Sequence, residues 1–431
     1  MAEYKRKRRR GLKPAPKVNK KRIRREREFE DIEMTPSSKS YRPSKEKAAP
    51  QQKKMRVLRG KKIKMQRRMK ATAFTVVIIA VILVVCQFIM PAGVFETISN
   101  NLALIGSGGY PISLESSETV NLISHSSYYY LLTNNSIEAY SSGGKRIFSY
   151  EHGFENPVLK TSSTRALVFE QNGTRGLIFT LKGLKQTLET EQSIKNAAMG
   201  DDGSYALVLS SKSYAAQVSV YKKNGDLVYE WFSSKDLVNN VALAPTGKKM
   251  AVSTITSNVG TYNSKLSVLN FESSSPEYEK SYEDTIVYAI DASFASGFSV
   301  ITANEYNFIK WSNFKISEYK NEYNTQALRV GNNGIAVLYN RENDKTDNRI
   351  AIFTKNGKLK REIKFKGLIN DFALKNQHIY CVSDTKAYIL DNDGKYMRSG
   401  ECGFGVVRIC PLGQNAMAIV TDNQIDKIKL E

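Results

Sequence analysis

The chain has 431 residues, of which 10% are aromatic and 25% charged, and its formal net charge is +22 at pH 7. With 3 histidines and 4 cysteines over that length, it lacks the ligand density of a His/Cys metal centre or a disulfide framework. The charge is concentrated at one end: residues 1–70 hold 28 Lys or Arg against 7 Asp or Glu, a net +21, which leaves +1 for the rest.

Residues 1–70 read as a disordered basic tail. They are poor in aromatic and branched apolar residues and carry Pro14, Pro16, Pro36, Pro43 and Pro50, so ordering them would bury too little surface to offset its entropy. Residues 71–95 then run for 25 positions without a charge. A bilayer core needs roughly 20 apolar residues of helix, and Pro91 and Gly93 mark the expected exit. Ten basic residues and no acid lie within 53–70, which predicts a single span with the tail in the cytoplasm. A cleaved signal peptide fits poorly, since no small-residue cleavage site follows the run. Val85 before Cys86 is too large for a lipobox. Lys61, Lys62, Lys64, Arg67, Arg68 and Lys70 are expected to contact anionic lipid headgroups, each worth on the order of 1 kcal/mol near the surface. An acidic cytoplasmic protein is an alternative partner for the tail. The lack of interleaved aromatic side chains argues against nucleic acid.

Residues 96–118 are expected to form a linker with one strand, and 119–431 a repeat domain. A short apolar strand motif recurs eight times, ending at Tyr140, Phe179, Tyr221, Leu269, Trp311, Phe353, Leu390 and Leu430, with spacings of 39, 42, 48, 42, 42, 37 and 40 residues. This period fits the four-stranded blade of a propeller. Gly144, Gly183, Gly225, Gly357 and Gly394 each stand four residues beyond a motif, where a hairpin needing positive φ would lead to an outer strand. The eighth motif ends one residue before Glu431 and lacks that outer strand. The alternating segment 110–115 is predicted to supply it by pairing with 427–430, closing the ring. The expected fold is therefore all-β: a propeller of about eight blades, with seven possible, behind one transmembrane helix and a basic tail.

With these motifs the chain resembles the broad superfamily of WD40 and quinoprotein-like propellers, and more narrowly the single-span, extracytoplasmic propeller proteins of Gram-positive bacteria. It lacks the Trp-Asp and Gly-His signatures of true WD40 repeats, so no WD40 partner carries over. The resemblance implies a membrane-anchored propeller on the outside of the cell, and its motifs are structural, not chemical.

Catalytic groups are sparse. His125, His152 and His378 have no second ligand at metal spacing and read as strand or loop residues. A quinoprotein enzyme would show adjacent cysteines and more than the 2 tryptophans present. The segment Asp391-Asn392-Asp393-Gly394 misses the register of a calcium loop and reads as a hairpin turn. Cys381 reads as a buried thiol, whereas Cys402 and Cys410 lie on adjoining blades and are a possible pair. Tyr129 is expected opposite Tyr128 and Tyr130 on its strand. Insertions around 257–264 and 340–348 mark candidate contact loops. The expectation is a non-enzymatic scaffold without cofactor or metal, holding an envelope protein or a wall polymer. A transmembrane sensor is the alternative, followed by a hydrolase or dehydrogenase.

Overall fold

The computed structural model describes residues 65, 66, 68–78, 93–114, 118–258, 260–391 and 394–431, in two units, Met1–Ile82 and Leu83–Glu431. In the first unit, residues 68–78 are helical with Phe74, Val76 and Val77 exposed. The hydroxyls of Thr72 and Thr75 donate back to the carbonyls of Met69 (2.9 Å) and Ala71 (2.7 Å). Residues 79–92 lie outside the described residues, so the expected span is described only at its ends. Among the described residues, no helix is long and apolar enough to cross a membrane.

The second unit is a ring of eight four-stranded antiparallel sheets. Blade 1 runs Thr119–Ser124, Tyr128–Thr133, Ser136–Ser141 and Arg146–Glu151, from the channel outward, and blades 2 to 7 repeat the pattern. Six of the eight sequence motifs lie wholly within the third strands; Trp311 and Leu430 fall one residue past theirs. The middle strands are buried on both sides because each blade stacks face to face with two neighbours. Eight apolar clusters result, one in each gap between blades. Pleating sends alternate residues to different clusters. Tyr128 and Tyr130 pack toward blade 2 and Tyr129 toward blade 8, and all three are buried.

Blade 8 consists of Arg408–Pro411, Ala416–Val420 and Gln424–Lys429, completed on the outside by Ile112–Ser113. The N-terminal segment thus closes the ring, although not in the expected register: Ile112 pairs with Ile425 and Ser113 with Gln424, not with 427–430. In this register Ile112 and Leu114 pack against the apolar cluster between blades 8 and 1 that contains Ile425. Leu114 extends the closure with a backbone bond to Asn423 (2.8 Å).

Around the channel, polar side chains join the inner strands of several neighbouring blades. Asn196 donates to the Asn239 carbonyl (2.8 Å), and Asn239 and Asn240 donate to that of Val287 (2.7 and 2.8 Å). Arg329 bonds Asp371 (2.6 Å) and the Phe372 carbonyl, and Asp371 accepts the Ile409 amide (2.9 Å).

Candidate functional site: a lysine-tipped face

The five hairpin glycines all have positive φ, from 71° at Gly357 to 104° at Gly183. In the blade 3 hairpin, the Gly225 amide donates to the Lys222 carbonyl (2.9 Å), and the strand register slips by one residue just beyond Val220. This is a type I turn followed by a glycine bulge, and it throws the adjoining side chains out at the tip. Those side chains are repeatedly lysines. Lys145, Lys182, Lys222, Lys315, Lys358 and Lys395 occupy the outer hairpins of blades 1, 2, 3, 5, 6 and 7. The individual residues are ordinary, and sequence reading did not single them out. The signal was present in the recurring Gly-Lys pairs Gly144-Lys145, Gly357-Lys358 and Gly394-Lys395.

The turns joining first to second and third to fourth strands all lie on one face of the ring, which we term the near face. Among the described residues these turns hold ten Lys or Arg and six Asp or Glu. The connecting turns of the opposite, far face hold two, Lys212 and Lys235, against ten Asp or Glu. The ring is therefore electrically two-sided.

A helix absent from the sequence-based expectation, α1 (Gly93–Ala103), lies on the near face against blades 1 and 2. Its inner side is mixed: Ala103, with Leu104 just beyond it, packs against the apolar cluster between blades 1 and 2, and the other contacts are polar. Glu96, in the first turn, pairs with the buried guanidinium of Arg165, whose Nε donates at 3.0 Å, while Arg165 Nη1 donates to the Lys223 carbonyl (2.9 Å). One turn on, buried Asn100 donates to the Thr164 carbonyl (2.9 Å) and accepts the Leu181 amide (3.2 Å). At the C-terminal end, Lys145 Nζ donates to the carbonyls of Ala103 (3.0 Å) and Ile105 (2.6 Å), where the helix dipole is negative. The following segment crosses the blade 1 hairpin so closely that a Cβ on Gly108 would lie 2.0 Å from the Lys145 amide nitrogen.

Between the near-face turns of blades 4, 5 and 6 opens a cleft of about 870 Å³ lined by Lys249, Lys310, Lys315, Lys358 and Trp311, with no carboxylate in its lining. Lys249 pairs with Glu277, whose carboxyl is held below its usual range by that ammonium and by Asn270. The other three lysines make no ion pair among the described residues. Convergent ammonium groups suit an anion. The channel mouth on this face is lined by Lys160, Asp201 and Asp291. Burial in the channel lowers the Lys160 amine and raises the Asp291 carboxyl.

The residues predicted from sequence are dispersed. Lys61, Lys62, Lys64 and Arg67 lie outside the described residues; Arg68 and Lys70 are exposed on the helical segment of the first unit. His125 stacks on Tyr128 (4.6 Å between centroids), and burial lowers its pKa to about 4. His152 bonds the Thr133 carbonyl (3.1 Å) and accepts the Phe154 amide, fixing the turn into blade 2. His378 opens a strand of blade 7. No cluster of metal-ligating side chains occurs among the described residues. Cys381, Cys402 and Cys410 are free thiols, and burial pushes Cys381 and Cys410 up to about 12. The two insertions lengthen the hairpins of blades 4 and 6, with Asn258 opposite Thr261 and Arg341 opposite Asp344, and both project on the far face.

Solved structures similar in fold include BamB from Moraxella catarrhalis (10% identity, TM-score 0.46, covering 75% of this chain and 100% of that one). A eukaryotic initiation factor is also similar (11% identity, TM-score 0.49, 76% and 90% covered), as is the β-propeller domain of Cps50 (Swd1) from Myceliophteria thermophila (10% identity, TM-score 0.44, 63% and 96% covered). No curated protein matches the sequence. Residues 105–430, the whole ring from just beyond α1 to the last blade, match the family of unknown function DUF5711, and the chain belongs to that family.

Proposed function

We propose that this chain is a single-span protein of a Gram-positive-type plasma membrane, with its basic tail in the cytoplasm and its propeller outside, acting as a non-enzymatic binding scaffold. The anchor reading rests on the uncharged run 71–95 behind ten basic residues. The back-bonded hydroxyls of Thr72 and Thr75 support it, since hydrocarbon demands internally satisfied polar groups.

The observation that carries the binding reading is the far face. Its turns are acidic, and large apolar side chains stand exposed there: Tyr262 on the long blade 4 hairpin, and Tyr214, Tyr288 and Phe404 in the connecting turns. Aromatic anchors within an acidic field fit a cationic segment of an envelope protein better than an anionic wall polymer. Crosslinking in intact cells followed by recovery of the propeller should yield such a partner, and trimming the blade 4 or blade 6 hairpin should weaken it. Recovery of the chain alone would refute the scaffold. Added protease should digest the propeller in intact cells and spare the tail; the reverse would refute the topology.

A sensor is the second reading. The Glu96–Arg165–Lys223 connection joins α1 to blades 2 and 3, so a ligand that shifts those blades would be felt at the helix.

A further inference from the structure

We propose that the near face of the propeller rests on the outer surface of the bilayer, docking on anionic phospholipid headgroups. The proposal builds on the anchored, outward-facing reading above. Three independent features of the face fit that occupant.

The first is charge. Six of the seven complete outer hairpins carry a lysine at one level of the ring; Lys145 of blade 1 is engaged by the carbonyls that end α1, leaving the other five to face outward, and blade 4, the exception, places Glu277 against Lys249. A ring of ammonium groups spread over a flat face matches a sheet of phosphates better than a single small anion. The second is apolar side chains beside these lysines. Leu227, Leu359 and Tyr396 open the outer strands immediately after the hairpins and are exposed, Tyr396 by 60%. Lysine tips with neighbouring Leu and Tyr are the composition of an interfacial surface, where the ring or alkyl group enters the headgroup layer and the charge meets phosphate.

The third is α1. Its inner side carries Glu96 and Asn100 to the propeller, so its apolar residues Ile98 and Leu102, with Ile105 just beyond, face away; Leu102 is 62% exposed and Ile105 70%. Ile98 and Leu102, four residues apart, form one stripe of α1, and Ile105 lies in the segment just after it. A soluble helix would turn that stripe inward, and here it is turned out from the face on which the chain arrives after the uncharged run. The far face, with its acidic turns, is excluded from the same surface by repulsion.

The test uses residues 93–431, which contain the entire ring, its closing strand, and α1 with all its partners. Cosedimentation is measured with vesicles of phosphatidylcholine alone and of phosphatidylcholine with phosphatidylglycerol. The domain should bind the anionic vesicles and be released by salt. Lys315→Gln, Lys358→Gln and Lys395→Gln together should weaken partitioning roughly 100-fold, from the loss of three surface lysines. The far-face pair Lys212→Gln and Lys235→Gln should change it less than about twofold. Leu102→Ser with Ile105→Ser should weaken binding without altering the circular dichroism melt. Equal binding to both vesicles, or unchanged binding by the triple variant, overturns the proposal. Displacement by a soluble poly(glycerol phosphate) at matched phosphate concentration would also overturn it, assigning the lysines to a free polymer. If protease mapping instead shows that the intact chain does not span a membrane, the anchor reading fails while the vesicle result stands unaffected.

Discussion

Glu96→Ala should release α1 from the propeller without unfolding the ring. Arg165 is almost wholly buried and Glu96 largely so, with side chains 3% and 21% exposed. Removing one partner of a buried pair strands the other charge and costs about 3–5 kcal/mol; the partial exposure of Glu96 and the retained Lys223 carbonyl place this case near 3 kcal/mol. The helix can undock as a local unit, so the loss is confined to it and cannot exceed its docking free energy. Amide hydrogen exchange is the assay. Amides of residues 97–103 should exchange about 100-fold faster in the variant, since each 1.4 kcal/mol is a factor of ten, while amides in the middle strands of the blades keep their protection. Glu96→Gln keeps a hydrogen-bond acceptor for Arg165 and should fall between the two. Unchanged exchange in α1, or loss of protection in every blade at once, would refute the argument that this pair secures the helix.

The His125 imidazole is held neutral by burial, with its pKa lowered from 6.5 to about 4. Its neutrality penalises the folded state only when the unfolded chain is protonated, so stability is intact above pH 6.5 and falls as pH drops toward 4. The residue keeps some contact with water, so the loss should be about 2 kcal/mol; His125→Phe should flatten that part of the pH dependence in urea melts. Gly108→Ala should lower the melting temperature sharply, because its Cβ would collide with the Lys145 backbone, whereas Gly109→Ala meets nothing within 4 Å and should be within ~0.5 kcal/mol of the parent. Tyr306→Phe would leave the buried Ser299 hydroxyl, now 2.9 Å from the Tyr306 oxygen, without that partner and should cost about 1–2 kcal/mol in chemical denaturation. Tyr339 has a buried hydroxyl with no partner among the described residues, so Tyr339→Phe should be neutral or stabilising.

The propeller was legible because two physical signals coincide in each blade. A buried third strand demands an apolar run, and the bulge after it demands a glycine, so Val220, Tyr221 and Gly225 declare a blade before any contact is known. The eight-blade ring and the source of its last strand followed from counting. The register of that strand did not, because the alternation of 110–115 places Ile112 and Leu114 on one face without saying which residues of the last motif they lie against. The face of Tyr129 had no answer in an exposed-versus-buried frame, since both sides of the strand face another blade. Helix α1 was read as linker because it is short and its main attachments are the polar side chains of Glu96 and Asn100, whose partners Arg165, Thr164 and Leu181 lie far along the chain. The lysine-tipped face is invisible residue by residue. It emerges only when the hairpins are superimposed by the ring.

The pairing of Ile112 with Ile425 has a consequence for how the protein is made. These residues are roughly three hundred positions apart, so the earliest strand to leave the ribosome must wait for almost the last before either is satisfied. During that interval Ile112–Ser113 has no partner strand and the incomplete ring offers unpaired backbone at its growing border to any passing chain. If export proceeds as the anchor reading requires, maturation happens outside the cytoplasm, away from its ATP-driven chaperones, and the two-residue clasp is then the step at which a half-made wheel is either sealed or lost to aggregation.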